Sequence, residues 1–348
     1  MVGFGFIAEG GHLPAYRSRH GFDIVAVADT CAARRDAARR ALPAARIYEN
    51  HEKMLVEEAS RLEFIDITTP PYAHAPIARA ALAAGLHVIC EKPFATTVAD
   101  ARAMIGAARR ANRVIFPAHN YKHAPVVQAV RRVLATGAIG PVHQVTMHTF
   151  RATHARGVSE WNEGWRLDKH YAGGGIAMDH GSHTLYLAFE WMRGMPLAIS
   201  ATASSVGSDA EDTLSATLTF RTGVANVHLT WRAGMRRVLY TLHGSRGAIR
   251  VEDDAVQVTT MDAPEKPAKT AWSTREEHVA SHWMDARHAE WFAATFDRFD
   301  AAVAGRVPMH EDAEEALRCV EVIEAVYASA AAQGSTVTLE TTRAQEVA

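Results

Sequence analysis

The chain has 348 residues, 48% of them hydrophobic and 22% charged, which is the balance of a globular protein large enough for two domains. A net charge of −2 and a pI near 6.8 give no field to recruit nucleic acid or an anionic membrane, so neither is expected as a partner. The three cysteines, Cys31, Cys90 and Cys319, form no CxxC pair, which argues against a disulfide framework or a cysteine zinc site and suits a reducing compartment.

The first eight residues, Met1-Val2-Gly3-Phe4-Gly5-Phe6-Ile7-Ala8, put a glycine-rich turn where a strand hands over to a helix. In such a turn Gly3 permits the tight bend, Gly5 lets backbone approach a pyrophosphate, and Ala8 is small enough for close helix–strand packing. Only Met1 and Val2 precede Gly3, whereas a strand usually runs about five or six residues. Either the first strand is nearly absent or the natural chain starts upstream. A second apolar run, residues 24–28, ends in Asp29, near the spacing at which a carboxylate holds the adenosine ribose hydroxyls of a dinucleotide. That carboxylate favours NAD because it would repel a 2′-phosphate, although Arg34 and Arg35 leave room for NADP. The pairs Arg34-Arg35 and Arg39-Arg40, set among alanines, read as solvated helix faces.

Further strands are predicted at 64–68, 87–90 and 114–116, alternating with helices near 31–43, 51–60, 73–84 and 97–111. Continuous apolar strands separated by helices indicate a doubly wound parallel sheet covered on both faces. Such sheets bind ligands beyond the carboxyl ends of their strands. Residues 3–8, Asp29, Thr69-Pro70 and Glu91-Lys92-Pro93 all fall there.

After residue 121 the pattern changes. A helix near 124–136 ends at Gly137 and Gly140, a strand covers 142–150, and residues 197–260 alternate in the antiparallel manner. Residues 213–220 and 224–231 flank a hairpin turn at Arg221-Thr222-Gly223. The segment 263–274, with two prolines, reads as a mobile loop. Two helices close the chain, the last with Leu317, Val320, Ile323 and Tyr327 as a core stripe. The class is α/β, divided into a dinucleotide-binding domain at 1–120 and a second α/β domain at 121–348. With no basic segment leading into an apolar stretch at the N-terminus, the expected location is the cytoplasm.

Two segments carry chemistry. Lys92 ends a buried strand, where a lysine beside a cationic nicotinamide ring can have its pKa lowered and serve in proton transfer. The plainer alternative is a solvated lysine paired with Glu91. The run Gly173-Gly174-Gly175 enters a helix that puts Asp179 and His183 four residues apart on one face, a carboxylate and an imidazole suited to proton handling at neutral pH. Trp165-Arg166 offers an apolar wall and a forked donor for a polyhydroxylated or acidic ligand. Asp179, His180 and His183 could begin a metal site, but no separate acidic cluster completes a shell, and no metal is expected.

Together, GFGFIA at 3–8, TTPPYAH at 68–74, EKP at 91–93, WR at 165–166 and GGGIAMDHGSH at 173–183 resemble the Gfo/Idh/MocA oxidoreductase family in order and spacing. The resemblance implies an N-terminal Rossmann domain and a C-terminal α/β domain whose open, mainly antiparallel sheet often makes dimer or tetramer contacts. It also implies that Lys92 lies beside the oxygen of the reacting carbon, that Asp179 orients substrate hydroxyls and that His183 is the acid/base. Thr69, Pro70, His74 and Glu91, with Lys92, would line the cofactor groove, and Asn120, Tyr121, Trp165 and Arg166 would meet the substrate. Two departures stand out. The family often has an arginine where this chain reads Asn120-Tyr121-Lys122-His123, and an aspartate three residues after the helix histidine, where this chain has Tyr186.

The leading expectation is therefore hydride transfer between NAD(P) and a secondary alcohol of a sugar, cyclitol or related polyol. A redox-neutral relative using tightly bound NAD, such as an epimerase or glycosidase-like enzyme, is the first alternative. A non-catalytic NAD-binding sensor is the second, and it would be expected to lose the lysine or the histidine.

Overall fold

The computed structural model describes residues 1–261, 271–280, 283 and 287–339. Val2 is bridged in parallel to both Ala28 and Ile67. Its N–H donates to the Asp66 carbonyl at 2.7 Å, and that of Gly3 to the Ala28 carbonyl at 2.8 Å. The first strand is thus a very short central segment, held by ladders on both sides. It joins β1 (Ala26–Ala28) and β2 (Arg46–Tyr48) to β3 (Phe64–Ile67), β4 (His87–Cys90) and β5 (Ile115–Pro117). Counting the N-terminal segment as strand one, the parallel order is 3-2-1-4-5-6, which opens a crevice at the point where the order reverses.

The crossing helix after Gly3 widens into a π turn at Ala8–His12 before α1 (Leu13–Arg17). Helices α2 (Ala32–Ala41), α3 (His51–Glu58), α4 (His74–Ala83) and α5 (Val98–Ala111) follow the predicted spans closely. Asn50 and Thr97 cap α3 and α5 by accepting the Lys53 and Asp100 N–H groups. Strand β2 was not among the expected strands. It has three residues at the sheet edge and opens on exposed Arg46, so it has no apolar run to betray it.

The second half opens with α6 (Pro125–Ala135) and carries the short α7 (Lys169–Ala172) just ahead of α8 (Ile176–Met192). Its strands are β6 (Val142–Phe150), β7 (Ala198–Ser204), β8 (Thr213–Phe220), β9 (Gly223–Thr230), β10 (Arg237–Gly244), β11 (Gly247–Glu252), β12 (Ala255–Met261), β13 (Trp272–His278) and β14 (Val337–Thr338). They build one nine-stranded sheet in the order β13-β12-β11-β10-β6-β9-β8-β7-β14. Among the described residues of this sheet, only β6 and β9 pair in parallel. The period-two pattern buries Val145 and Met147 of β6 under α8, while His148 and Phe150 lie on the open face. Trp272, Ser273 and Thr274, expected in a loop, begin β13, an exposed edge strand with no apolar alternation. The rest of that expected loop, residues 263–270, lies outside the described residues.

Two helices, α9 (Ala289–Val303) and α10 (Glu311–Ala331), tie the layers together. Phe292, Phe296 and Phe299 of α9 pack with Phe4, Tyr16, Val27 and Phe116 of the N-terminal core. Along α10, Ala316 and Val320 face the parallel sheet, while Ile323 and Val326 face the core under the nine-stranded sheet. The α10 stripe therefore seals two layers against each other, which fixes the walls of the crevice between them.

Candidate active site

A cleft of about 1040 Å³ runs from Asp29 at one end to the N-terminal half of α8 at the other. At the first end the turn after strand one is locked by Gly3, whose φ is +86° and whose missing Cβ would lie 3.0 Å from the Thr68 carbonyl. A Cβ at Gly5 would meet nothing within 4 Å, so the backbone there is open to a bulky anionic group. Gly3, Gly5, Phe6 and Ile7 line the cleft, whereas Phe4 and Ala8 are fully buried behind it. Phe4 acts through its main chain, since its N–H donates to Asp29 Oδ2 at 2.7 Å. The Cys31 N–H donates to Asp29 Oδ1, also at 2.7 Å, so the carboxylate is fixed at the mouth of the turn. These residues fit a dinucleotide, with room for a pyrophosphate at the helix start and a strand-end carboxylate for ribose hydroxyls.

Arg34 is not on a solvated face. It is buried, with Nε donating to the Phe4 carbonyl at 2.7 Å and its other nitrogens reaching Glu9 and Glu160 at 2.5 and 3.2 Å. Two carboxylates that sequence spacing does not bring together turn this arginine inward. Arg35 Nη1 donates to the carbonyls of Asp29 and Thr30, both at 2.9 Å.

In the middle of the cleft, Thr69 and Pro70 form the wall. His74 does not face the cleft. It is fully buried, with its ring nitrogens 2.9 Å from the Thr69 and Pro93 carbonyls, so it props the wall from behind. Glu91 is not the partner of the Lys92 ammonium. Its Oε1 lies 2.9 Å from His12 Nε2, and His12 Nδ1 lies 2.9 Å from Asp66 Oδ2. Burial alone would drive the His12 pKa down, but the two carboxylates outweigh it and raise the value to about 9. A cation is thereby held under the strand end that carries Lys92.

Lys92 reaches across to α8. Its Nζ donates to the Asp179 carbonyl at 2.9 Å and to Asp179 Oδ1 at 3.2 Å. Arg166 Nε also reaches Asp179 Oδ1, at 3.3 Å, and its guanidinium stacks 4.1 Å above the Trp165 ring. Burial would push the Asp179 carboxyl up, but Lys92 and Arg166 hold it well below the usual range. His183 lines the same cleft, with Tyr121 stacked on it at a centroid distance of 3.8 Å and Asn120 nearby in the wall. Its Nδ1 lies 2.8 Å from the Tyr186 hydroxyl, which leaves Nε2 for a ligand. Burial, and after it the charge of Lys92, keeps the His183 pKa well below normal, and burial takes His180 down to about 3. Both imidazoles are neutral at physiological pH. Among the described residues no group of three or more His, Cys, Asp or Glu side chains is placed to hold a metal ion.

The start of α8 depends on a residue the sequence did not flag. Glu211 accepts the Gly175 and Ala177 N–H groups through its two carboxylate oxygens, at 2.9 and 3.0 Å, and the Tyr327 hydroxyl at 2.8 Å. A Cβ at Gly174 or Gly175 would sit 1.9 Å from the Tyr327 hydroxyl or 2.0 Å from the Glu211 carbonyl, which explains the glycine run. This cap comes from 34 to 36 positions down the chain, outside the reach of any local capping pattern.

A switch-point crevice with a glycine turn, a strand-end carboxylate, and a lysine and neutral histidine at its far end fits a dinucleotide-dependent oxidoreductase. Residues 1–119 match the model described as an oxidoreductase family with an NAD-binding Rossmann fold, and residues 127–250 match the GFO/IDH/MocA C-terminal domain. The chain belongs to the Gfo/Idh/MocA family of NAD-binding oxidoreductases. It is 31% identical to the D-apiose dehydrogenase of Paraburkholderia graminis over 99% of this chain and 90% of that protein. It is 30% identical to the D-glucoside 3-dehydrogenase of Escherichia coli over 59% of this chain and 56% of that one. Among solved structures, a levoglucosan dehydrogenase in complex with NADH superposes with a TM-score of 0.82 at 23% identity, covering 98% of each chain. Among the described residues no helix is long and apolar enough to cross a membrane.

Proposed function

We propose that this oxidoreductase transfers hydride between NAD and a secondary alcohol or ketone carbon of a sugar, cyclitol or related polyol. Two of the relatives above are named for sugar substrates, D-apiose and D-glucosides, which supports that class. The observation that carries the reading is the Lys92–Asp179 contact across the two layers, with neutral His183 in the same cleft. Bound NAD supplies the hydride acceptor or donor.

In the oxidative direction His183 takes the hydroxyl proton at Nε2, because burial keeps it neutral and Tyr186 occupies Nδ1. Lys92 is held by Asp179 as a donor and stabilises the oxyanion that develops on the reacting carbon's oxygen. Asp179 orients Lys92 and accepts from a neighbouring substrate hydroxyl. Trp165, Arg166, Asn120 and Tyr121 shape the substrate end. Asp29 selects NAD through its ribose hydroxyls, and Gly3, Gly5, Phe6, Ile7, Thr69 and Pro70 form the groove beside it. The domain division near residue 120, cytoplasmic location and homodimer or homotetramer assembly through the open face of the nine-stranded sheet complete the proposal.

The test is NADH formation, followed by absorbance, across a panel of polyols, aldoses and cyclitols at neutral to alkaline pH. Turnover with members of one stereochemical series supports the reading. Product formed with no net NADH, and with cofactor retained through purification, would move the enzyme to redox-neutral chemistry.

A further inference from the structure

The cleft holds a buried cation that the catalytic set does not use. Arg151 follows β6, lines the cleft and is 7% exposed. Its Nη1 donates to the Phe150 carbonyl at 2.9 Å and reaches the Arg237 carbonyl at 3.4 Å. Arg151 makes no ion pair with a carboxylate among the described residues. Among the described residues only Nη1 of this guanidinium has a hydrogen-bond partner. A guanidinium this deep without a counter-charge is costly, and its planar fork is complementary to a carboxylate.

The carboxylates of the site are engaged elsewhere. Asp179 faces Lys92 and Arg166, and Glu91 is turned to His12. Arg151 belongs to the substrate end rather than the dinucleotide turn, since it follows β6 of the nine-stranded sheet, reaches the Arg237 carbonyl of β10 and lines the cleft that His180 and His183 also line.

We propose that the substrate is a sugar acid, whose carboxylate pairs with Arg151 while a hydroxyl elsewhere on the same molecule meets Lys92 and His183. This rests on the polyol-oxidoreductase reading and narrows it. The carboxylate is a handle and is unchanged by the reaction. The planar fork of Arg151 matches a planar carboxylate, with which it can form two parallel N–H···O bonds.

The experiment uses matched ligands that differ only in the anionic group: D-glucuronate with D-glucose, D-galacturonate with D-galactose, and D-gluconate with D-glucitol, plus D-glucose 6-phosphate. Calorimetric titration of each into the NAD-loaded enzyme reads affinity without turnover, and kcat/KM is measured for any pair that reacts. We expect at least one acid to bind about tenfold or more tightly than its neutral partner. Arg151→Met should bring that acid-to-neutral ratio close to one, and Arg151→Lys should keep part of it. Melting curves of both variants identify any that fail to fold, and the wild-type pairs decide the matter on their own. Neutral partners that bind as well as every acid, or a 6-phosphate preferred over the acids, would overturn the assignment. Selective binding of an acid with no NADH formed from any ligand would instead leave Arg151 as the anchor and count against the oxidoreductase reading of this site.

Discussion

The Tyr186 hydroxyl lies 2.8 Å from Nδ1 of His183, one turn back on the same buried helix. Burial raises the Tyr186 pKa well above normal, so it backs the imidazole as a neutral hydroxyl, where an aspartate would add a charge. Tyr186→Phe should lower kcat by roughly tenfold, as the ring loses the bond that orients it. Tyr186→Asp should raise the His183 pKa, because a nearby carboxylate favours the imidazolium. The acidic limb of the kcat/KM profile for alcohol oxidation should then move to higher pH. Superimposable profiles for wild type and Tyr186→Asp would show that the contact does not tune the base.

His12 makes stability depend on pH. Its folded value near 9 exceeds the ordinary histidine value of 6.5, so its contribution is fully present below about pH 6.5 and is lost as pH rises through 9. The loss should amount to a few kcal/mol at most, because each tenfold gain in proton affinity on folding is worth about 1.4 kcal/mol. Urea unfolding at pH 6.5 and pH 9.5 should show a larger decline for wild type than for His12→Gln. Equal declines would mean that the Asp66–His12–Glu91 bridge is not charged.

Under the proposed role of Asp29, cofactor choice rests on its carboxylate, fixed by the Phe4 and Cys31 amides, while Arg34 and Arg35 donate to other partners. NAD should bind at least about tenfold more tightly than NADP, since a 2′-phosphate would face that carboxylate. Asp29→Ser should narrow the gap. Calorimetry that finds equal affinities in the unaltered protein would remove Asp29 from the selectivity argument.

The doubly wound sheet was legible because β3 and β4 are short apolar runs between alanine-rich helices, and the mainly antiparallel character of the second sheet because β8 and β9 alternate around a turn. Edge strands β2 and β13 were not, since both are polar and identified only by pairing. The motifs brought Lys92, Asp179 and His183 into one cleft, but motif membership does not show which way a side chain faces. His74, Phe4 and Ala8 sit behind the wall for that reason. The groups that orient the site from behind, His12, Tyr186 and Glu211, depend on contacts between elements that no spacing rule reports.

Lys92 and His183 are proposed to act together on one reacting carbon from two layers of the protein. The most direct measurement is steady-state turnover of Lys92→Met with an accepted substrate, set beside its NAD affinity. In the proposed arrangement the glycine turn at residues 3–8 and Asp29, not the lysine, hold the dinucleotide, so NAD affinity should be nearly unchanged while kcat falls by about 100-fold or more, the scale for removing one proton-transfer or oxyanion group. Turnover that survives in Lys92→Met, and likewise in His183→Ala, would contradict the account and leave a protein that binds the cofactor without using these residues for chemistry.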